Sequence, residues 1–168
     1  AYTIVQDVDV GPFNLRDFLV ADLNGDAQPD MVLAADDKFA IVYSGRKDKQ
    51  FGVVGQYKTL LKDGRYTSVT TGDLDGDGGR EILVLEGVTH HVEILSAAGT
   101  PSGTGPAPLR QELTFRVYEA GPREHAPRWD PRPEQWEPRR AIVADITNDG
   151  KDDMLLLIHD NLVIYRQE

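Results

Sequence analysis

The chain has 168 residues, 40% of them hydrophobic, and a formal charge of −10, which describes a globular domain with room for a substantial core. The acidity argues against nucleic acid, whose phosphates attract basic surfaces. The absence of cysteine excludes a disulfide framework and any thiolate-held zinc or iron–sulfur centre, and no apolar run reaches the roughly 18–20 residues that cross a bilayer.

Taken in chain order, the predicted elements are short β-branched runs divided by Asp, Gly and Asn, a strand signature. Residues 2–10 (Tyr-Thr-Ile-Val-Gln-Asp-Val-Asp-Val) predict a first strand. Strands are then expected over 17–21, 31–34, 39–43 and 53–61. The next are expected over 67–71, 82–85, 91–95 and 111–118, and the last over 140–144, 154–158 and 162–165. The third group stops at Glu168 without a fourth strand, so residues 2–10 are expected to complete it, within the chain or from a neighbour. The expectation is a single all-β domain over 1–168, with repeats at about 17–61, 66–119 and 139–168. Residues 99–108 are rich in Gly, Pro, Ser and Thr and read as a loop. Residues 121–139 form a Pro-rich excursion whose prolines forbid a central strand or helix.

Between the first two strands of each repeat stands an acidic nine-residue loop. The three copies are Asp22-Leu-Asn24-Gly-Asp26-Ala-Gln28-Pro-Asp30, Asp73-Leu-Asp75-Gly-Asp77-Gly-Gly79-Arg-Glu81 and Asp145-Ile-Thr147-Asn-Asp149-Gly-Lys151-Asp-Asp153. Oxygen side chains recur at positions 1, 3, 5 and 9. Carboxylates this dense repel one another unless a hard cation lies among them, so much of the acidity reads as metal-site charge. Repetition at a fixed context is itself the mark of a repeat architecture.

Asp-x-Asp/Asn-x-Asp-Gly-x-x-Asp between two short strands resembles the FG-GAP / VCBS repeat family, the calcium-loop blades of integrin-α-like β-propellers. The resemblance covers roughly half the chain. It implies a β-propeller-type fold of three four-stranded antiparallel blades, with Ca2+ in each loop. It also implies side-chain ligands at Asp22, Asn24, Asp26 and Asp30, at Asp73, Asp75, Asp77 and Glu81, and at Asp145, Thr147, Asp149 and Asp153. Gln28, Gly79 and Lys151 would give backbone carbonyls. Ala27 replaces the glycine the family prefers, and Thr147 replaces a carboxylate or amide, so the first two loops fit best and the third is the weaker site.

The residues agree on calcium without the family. Calcium takes 6–8 oxygens in a flexible shell, whereas magnesium demands a stricter octahedron. Zinc would want His or Cys, and no loop holds either. An EF-hand would need Glu at position 12, where Leu33, Val84 and Leu156 stand. The competing structural reading is an acidic turn without metal.

Outside the loops, Trp129 and Trp136 with Arg128, Arg132, Arg139 and Arg140 form an aromatic and cationic group in the excursion, suited to a sugar or peptide; alternatively the rings only pin the loop. His90, His91 and His159 read as exposed turn residues. No nucleophile elbow, phosphate loop, dinucleotide fingerprint or His-Glu-x-x-His is present, so no catalytic residues are expected.

Propellers usually have about 4–8 blades, and three do not close a ring. The chain is expected to be part of a larger propeller, or a half-ring that pairs with a second copy. A degenerate unit within 100–140 is the remaining option. The function expected is a calcium-binding module of an extracellular, secreted or cell-surface protein that binds protein or carbohydrate. The alternatives are the non-catalytic propeller of a secreted polysaccharide-degrading enzyme, or a self-assembly module.

Overall fold

A computed structural model describes residues 2–4, 6–43, 51–97, 109–117 and 136–168. The described residues form eleven strands and no helix. Sheet 1 is β1 (Leu15–Ala21), β2 (Asp30–Ala35), β3 (Lys38–Tyr43) and β4 (Gly52–Lys58). Sheet 2 is β5 (Tyr66–Gly72), β6 (Glu81–Glu86), β7 (His91–Ala97) and β8 (Leu109–Arg116). Sheet 3 is β9 (Arg140–Ala144), β10 (Asp153–Ile158) and β11 (Asn161–Tyr165). Each is an antiparallel meander whose strands pair in chain order. The acidic loops join the first two strands of each sheet.

The sheets stack as an open arc of propeller blades. The first strands stand side by side, β1 against β5 and β5 against β9. One apolar cluster fills the seam between sheets 1 and 2, built on Val32, Phe39, Ile41, Tyr66, Ile82 and Val84. A second fills the seam between sheets 2 and 3, built on Leu83, Leu85, Val92, Met154, Leu156 and Ile158. Alternate residues of a strand point to opposite faces, so β6 feeds both seams at once. That is why it reads as the unbroken run Ile82-Leu83-Val84-Leu85 and is buried throughout.

Close approach fixes the second seam. A side-chain carbon on Gly72 would lie 2.1 Å from Val143 Cγ1 and 3.0 Å from Asp152 Oδ2, so only glycine lets β5 meet β9 here. The first seam holds a polar knot. Glu93 is buried; its Oε2 accepts the Tyr66 hydroxyl at 2.8 Å and its Oε1 the Tyr57 hydroxyl at 3.3 Å. Glu86, also buried, accepts the Arg65 N–H at 2.5 Å, the Val88 N–H at 2.8 Å and the Thr89 N–H at 2.5 Å. It thereby closes the turn between β6 and β7.

Two expectations change. Residues 2–10 form no strand among those described. Gln6 instead clips this segment beside the start of β4: its Nε2 donates to Phe51 O at 2.8 Å and its Oε1 accepts the Phe51 N–H at 2.9 Å. β4 and β11 lie at opposite ends of the arc, so within one molecule the segment does not reach sheet 3, which has three strands among the described residues. Alternation in the sequence states what a strand would bury, not whether an edge is in reach.

His90 is the second change. It is buried, not an exposed turn residue, and its Nδ1 lies 2.9 Å from Glu137 O. With Glu137 N–H to Gly87 O at 3.1 Å, Thr67 Oγ1 to Pro138 O at 2.9 Å and Arg139 N–H to Leu157 O at 3.0 Å, it fastens residues 136–139 onto sheets 2 and 3.

Candidate metal centre

The three loops share one backbone design. The position-1 carboxylate folds into the turn and collects amide protons. Asp22 accepts the Gly25 N–H at 2.8 Å and the Ala27 N–H at 2.9 Å. Asp73 accepts the Gly76 N–H at 2.7 Å and the Gly78 N–H at 3.0 Å. Asp145 accepts the Asp149 N–H at 3.1 Å and the Gly150 N–H at 2.9 Å. Positions 4 and 6 lie in the left-handed region in every copy: Gly25 at φ 74° and Ala27 at 63°, Gly76 at 79° and Gly78 at 86°, Asn148 at 57° and Gly150 at 86°. Gly and Asn enter that region at little cost; Ala27 does not.

Position 9 is the anchor. Asp30, Glu81 and Asp153 are buried. Each reaches back to the start of its loop: Asp30 Oδ2 to the Leu23 N–H at 3.0 Å, Glu81 Oε2 to the Leu74 N–H at 2.7 Å, and Asp153 Oδ2 to the Ile146 N–H at 3.2 Å. The burial follows from the fold, because this residue opens the second strand of each sheet.

The loops diverge in what they gather. In the second, one oxygen each from Asp73, Asp75 and Glu81 lie within 4.8 Å of one another. Among the described residues this is the one acidic cluster so arranged. Burial, and then the charges of Asp75, Asp77 and Asp73, push the Glu81 carboxyl up against the lowering pull of the Leu74 N–H. Hard oxygen donors crowded to that degree fit a hard divalent cation. Asp77 bonds the Gly79 N–H at 2.6 Å through one oxygen, Oδ1.

In the first loop Asn24 turns its amide nitrogen to Asp26 Oδ2 at 3.2 Å, and Asp26 Oδ1 accepts the Gln28 N–H at 2.8 Å. In the third, Arg166 Nη2 lies 2.8 Å from Asp149 Oδ2. That hydrogen bond and the guanidinium charge hold the Asp149 carboxyl below its usual range. A cation from the chain thus already sits at position 5 of the third loop, where Thr147 supplies no charge and Lys151 stands exposed. Nothing in the loop sequence signals Arg166, which follows β11.

A second feature lies at the opposite end of the inner strands. An open cleft of about 230 Å³ is lined by Arg16, Tyr66, Thr67, Trp136 and Arg139. Arg16 and Thr67 are each the residue at which the register of β1 and β5 shifts, and such bulges redirect side chains. The Arg16 guanidinium stands 5.7 Å from the Trp136 ring centre and 2.5 Å from Asp36. Arg139 pairs with buried Glu137 at 2.5 Å. Of the residues the sequence singled out for a ligand, Trp136 and Arg139 meet here. Trp129 lies outside the described residues, and Arg140 begins β9 as an exposed residue. Sequence reasoning missed Arg16 and Thr67, which only the stacking of sheets 1 and 2 brings to Trp136.

The model of the FG-GAP-like repeat matches residues 22–84. No curated protein matches the chain. The matched stretch runs from the first acidic loop through the second, and the third unit repeats the same loop bonds and left-handed positions. Residues 22–84 are thus similar to an FG-GAP-like repeat.

Proposed function

We propose that the chain is a calcium-stapled β-propeller module of an extracellular protein that binds a protein or carbohydrate ligand without catalysing a reaction on it. One observation supports calcium above the others: the convergence of Asp73, Asp75 and Glu81 oxygens within 4.8 Å. Asp73, Asp75, Asp77 and Glu81 would hold the ion, with Gly79 giving its carbonyl as the family resemblance implies. A bound divalent cation offsets the repulsion in the loop and fixes the turn between β5 and β6. Its binding free energy then adds to folding free energy. The first loop is the next best site. The third is the weakest, since Arg166 already neutralises Asp149.

The ligand surface in this reading is the cleft at Trp136. A half-buried indole with the Arg16 guanidinium 5.7 Å from its ring centre, in a cleft that Arg139 also lines, suits a flat sugar or peptide group. Loops held on a rigid scaffold are the usual place for such contacts. A glycan and peptide array, run beside a turnover assay on acidic polysaccharides, tests the reading. Binding that Trp136→Ala abolishes, with no product formed, is the expected result. Product formation would favour the polysaccharide-degrading enzyme instead.

A further inference from the structure

The two ends of the arc carry faces of the kinds that mate inside it. Asp30, Glu81 and Asp153 open β2, β6 and β10 and bring the three strands into one register. By that register Val32, Leu83 and Leu155 are equivalent, and so are Met31, Ile82 and Met154. At the first seam the Val32 face of sheet 1 packs on the Ile82 face of sheet 2. At the second seam the Leu83 face of sheet 2 packs on the Met154 face of sheet 3. Each seam therefore joins a Val32-type face to a Met31-type face.

The open face of sheet 3 is of the first type. Leu155 shares it with Ile142 and Ile164, its partners on the flanking strands, and Leu157 with Leu162. The open face of sheet 1 is of the second type, pairing Met31 with Val20 and Leu33 with Phe18. Phe18 is 68% exposed and Leu162 58% exposed. Contiguous apolar surface of this kind marks an interaction site. Each open face is the kind that the other takes within the arc.

The N-terminal segment points the same way. β4, the last strand of sheet 1, leads through a short turn into β5, the first strand of sheet 2. Residues 2–10 stand in that relation to β1. The Gln6 bonds to Phe51 hold them beside β4, just as β8 stands beside β4. Tyr2 and Ile4 stand fully in solvent. Among the described residues, sheet 3 ends on β11 with no strand paired to its outer edge.

We propose that two copies of the chain join head to tail into a six-bladed ring. The Leu155 face of each copy packs on the Met31 face of the other, and residues 2–10 of each add to β11 of the other as its fourth strand. Six blades lie within the usual range of about 4–8. A head-to-tail contact closes when the rotation per copy completes the circle and otherwise runs on as a filament. The pairing goes beyond the ligand-binding reading and does not depend on it.

Light scattering on the eluting protein, with calcium present and over a concentration series, tests the pairing. Twice the chain mass is expected. Phe18→Asp and Leu162→Asp each break one face at an exposed position, so each variant alone should elute as a monomer with wild-type circular dichroism. Mixing the two should restore the dimer, because one interface then joins two intact faces. Deleting residues 2–10 should weaken it. A single-chain mass throughout overturns the proposal and assigns both faces to blades from outside these residues. Open-ended polymer overturns the closed ring, and no recovery on mixing overturns the head-to-tail order.

Discussion

Asp152 Oδ2, in the third acidic loop, accepts the backbone N–H of Asp73, the first residue of the second loop, at 3.1 Å. The sheet carrying the weakest candidate site thus positions the entry to the best one. A bond to a charged acceptor contributes about 1.5–3 kcal/mol, less where water competes. Asp152→Ala should therefore weaken calcium binding at the second loop by roughly tenfold, or about 1.4 kcal/mol. Asp152→Asn, which keeps an acceptor, should lose less. Calcium titration calorimetry on the two variants checks the order, and equal affinities would show the loops to be independent.

Ala27 occupies the left-handed region at φ 63°, where the second loop has Gly78 and the third Gly150. An L-residue there bears about 1–2 kcal/mol of steric cost that glycine avoids. Glycine loses more backbone freedom on folding, which offsets part of the gain. Ala27→Gly should stabilise the protein by about 0.5–1 kcal/mol, seen as a higher urea midpoint at unchanged slope.

Arg166 stands in the third loop as a built-in cation. Arg166→Gln removes the charge beside Asp149 and leaves that loop dependent on an external ion. The gap between the melting temperature in calcium and that in chelator should widen, mainly because the chelated melt falls. An unchanged gap would mean that the Arg166–Asp149 pair does not compete with metal and behaves as an ordinary solvent-screened surface pair.

The knot at Glu93 makes stability fall at alkaline pH. Burial first, then the charge and hydrogen bond of Glu93, push the Tyr57 hydroxyl up to about 12, and the same causes raise Tyr66. An unfolded tyrosine loses its proton near pH 10. Above that pH the folded chain holds more protons than the unfolded one, so stability declines as pH rises. The contribution is full below about pH 10 and is lost as pH climbs towards the folded values. Tyr57→Phe should flatten the decline between about pH 10 and 12 in chemical denaturation carried out with chelator. An equally steep fall in the variant would move the cause elsewhere.

The strands were legible because burial on both faces leaves a plain trace, as in Ile82-Leu83-Val84-Leu85. The loops were legible because each needs oxygen donors at fixed positions and left-handed residues between them. Glu86 and Glu93 were not, since a charged residue inside a strand reads as solvent-facing until its donors are known. His90 hid for the same reason: its partner, Glu137 O, comes from a distant segment. Arg16, Thr67 and Trp136 meet only through the stacking of sheets and the return of residues 136–139, which local pattern does not encode. Residues 2–10 have the alternation of a strand, yet Gln6 holds them beside β4 and those described form no strand there.

Calcium titration of wild type against a Glu81→Gln variant, with melting curves of both in calcium and in chelator, tests the central claim most directly. The account predicts that wild type binds calcium and melts higher with it; at a hundredfold excess over the dissociation constant the gain is about 2.7 kcal/mol. Glu81→Gln should lose one binding event and most of that gain. The same heat of binding in both proteins, or a wild-type melt that does not respond to chelator, would contradict a calcium staple at Asp73, Asp75 and Glu81.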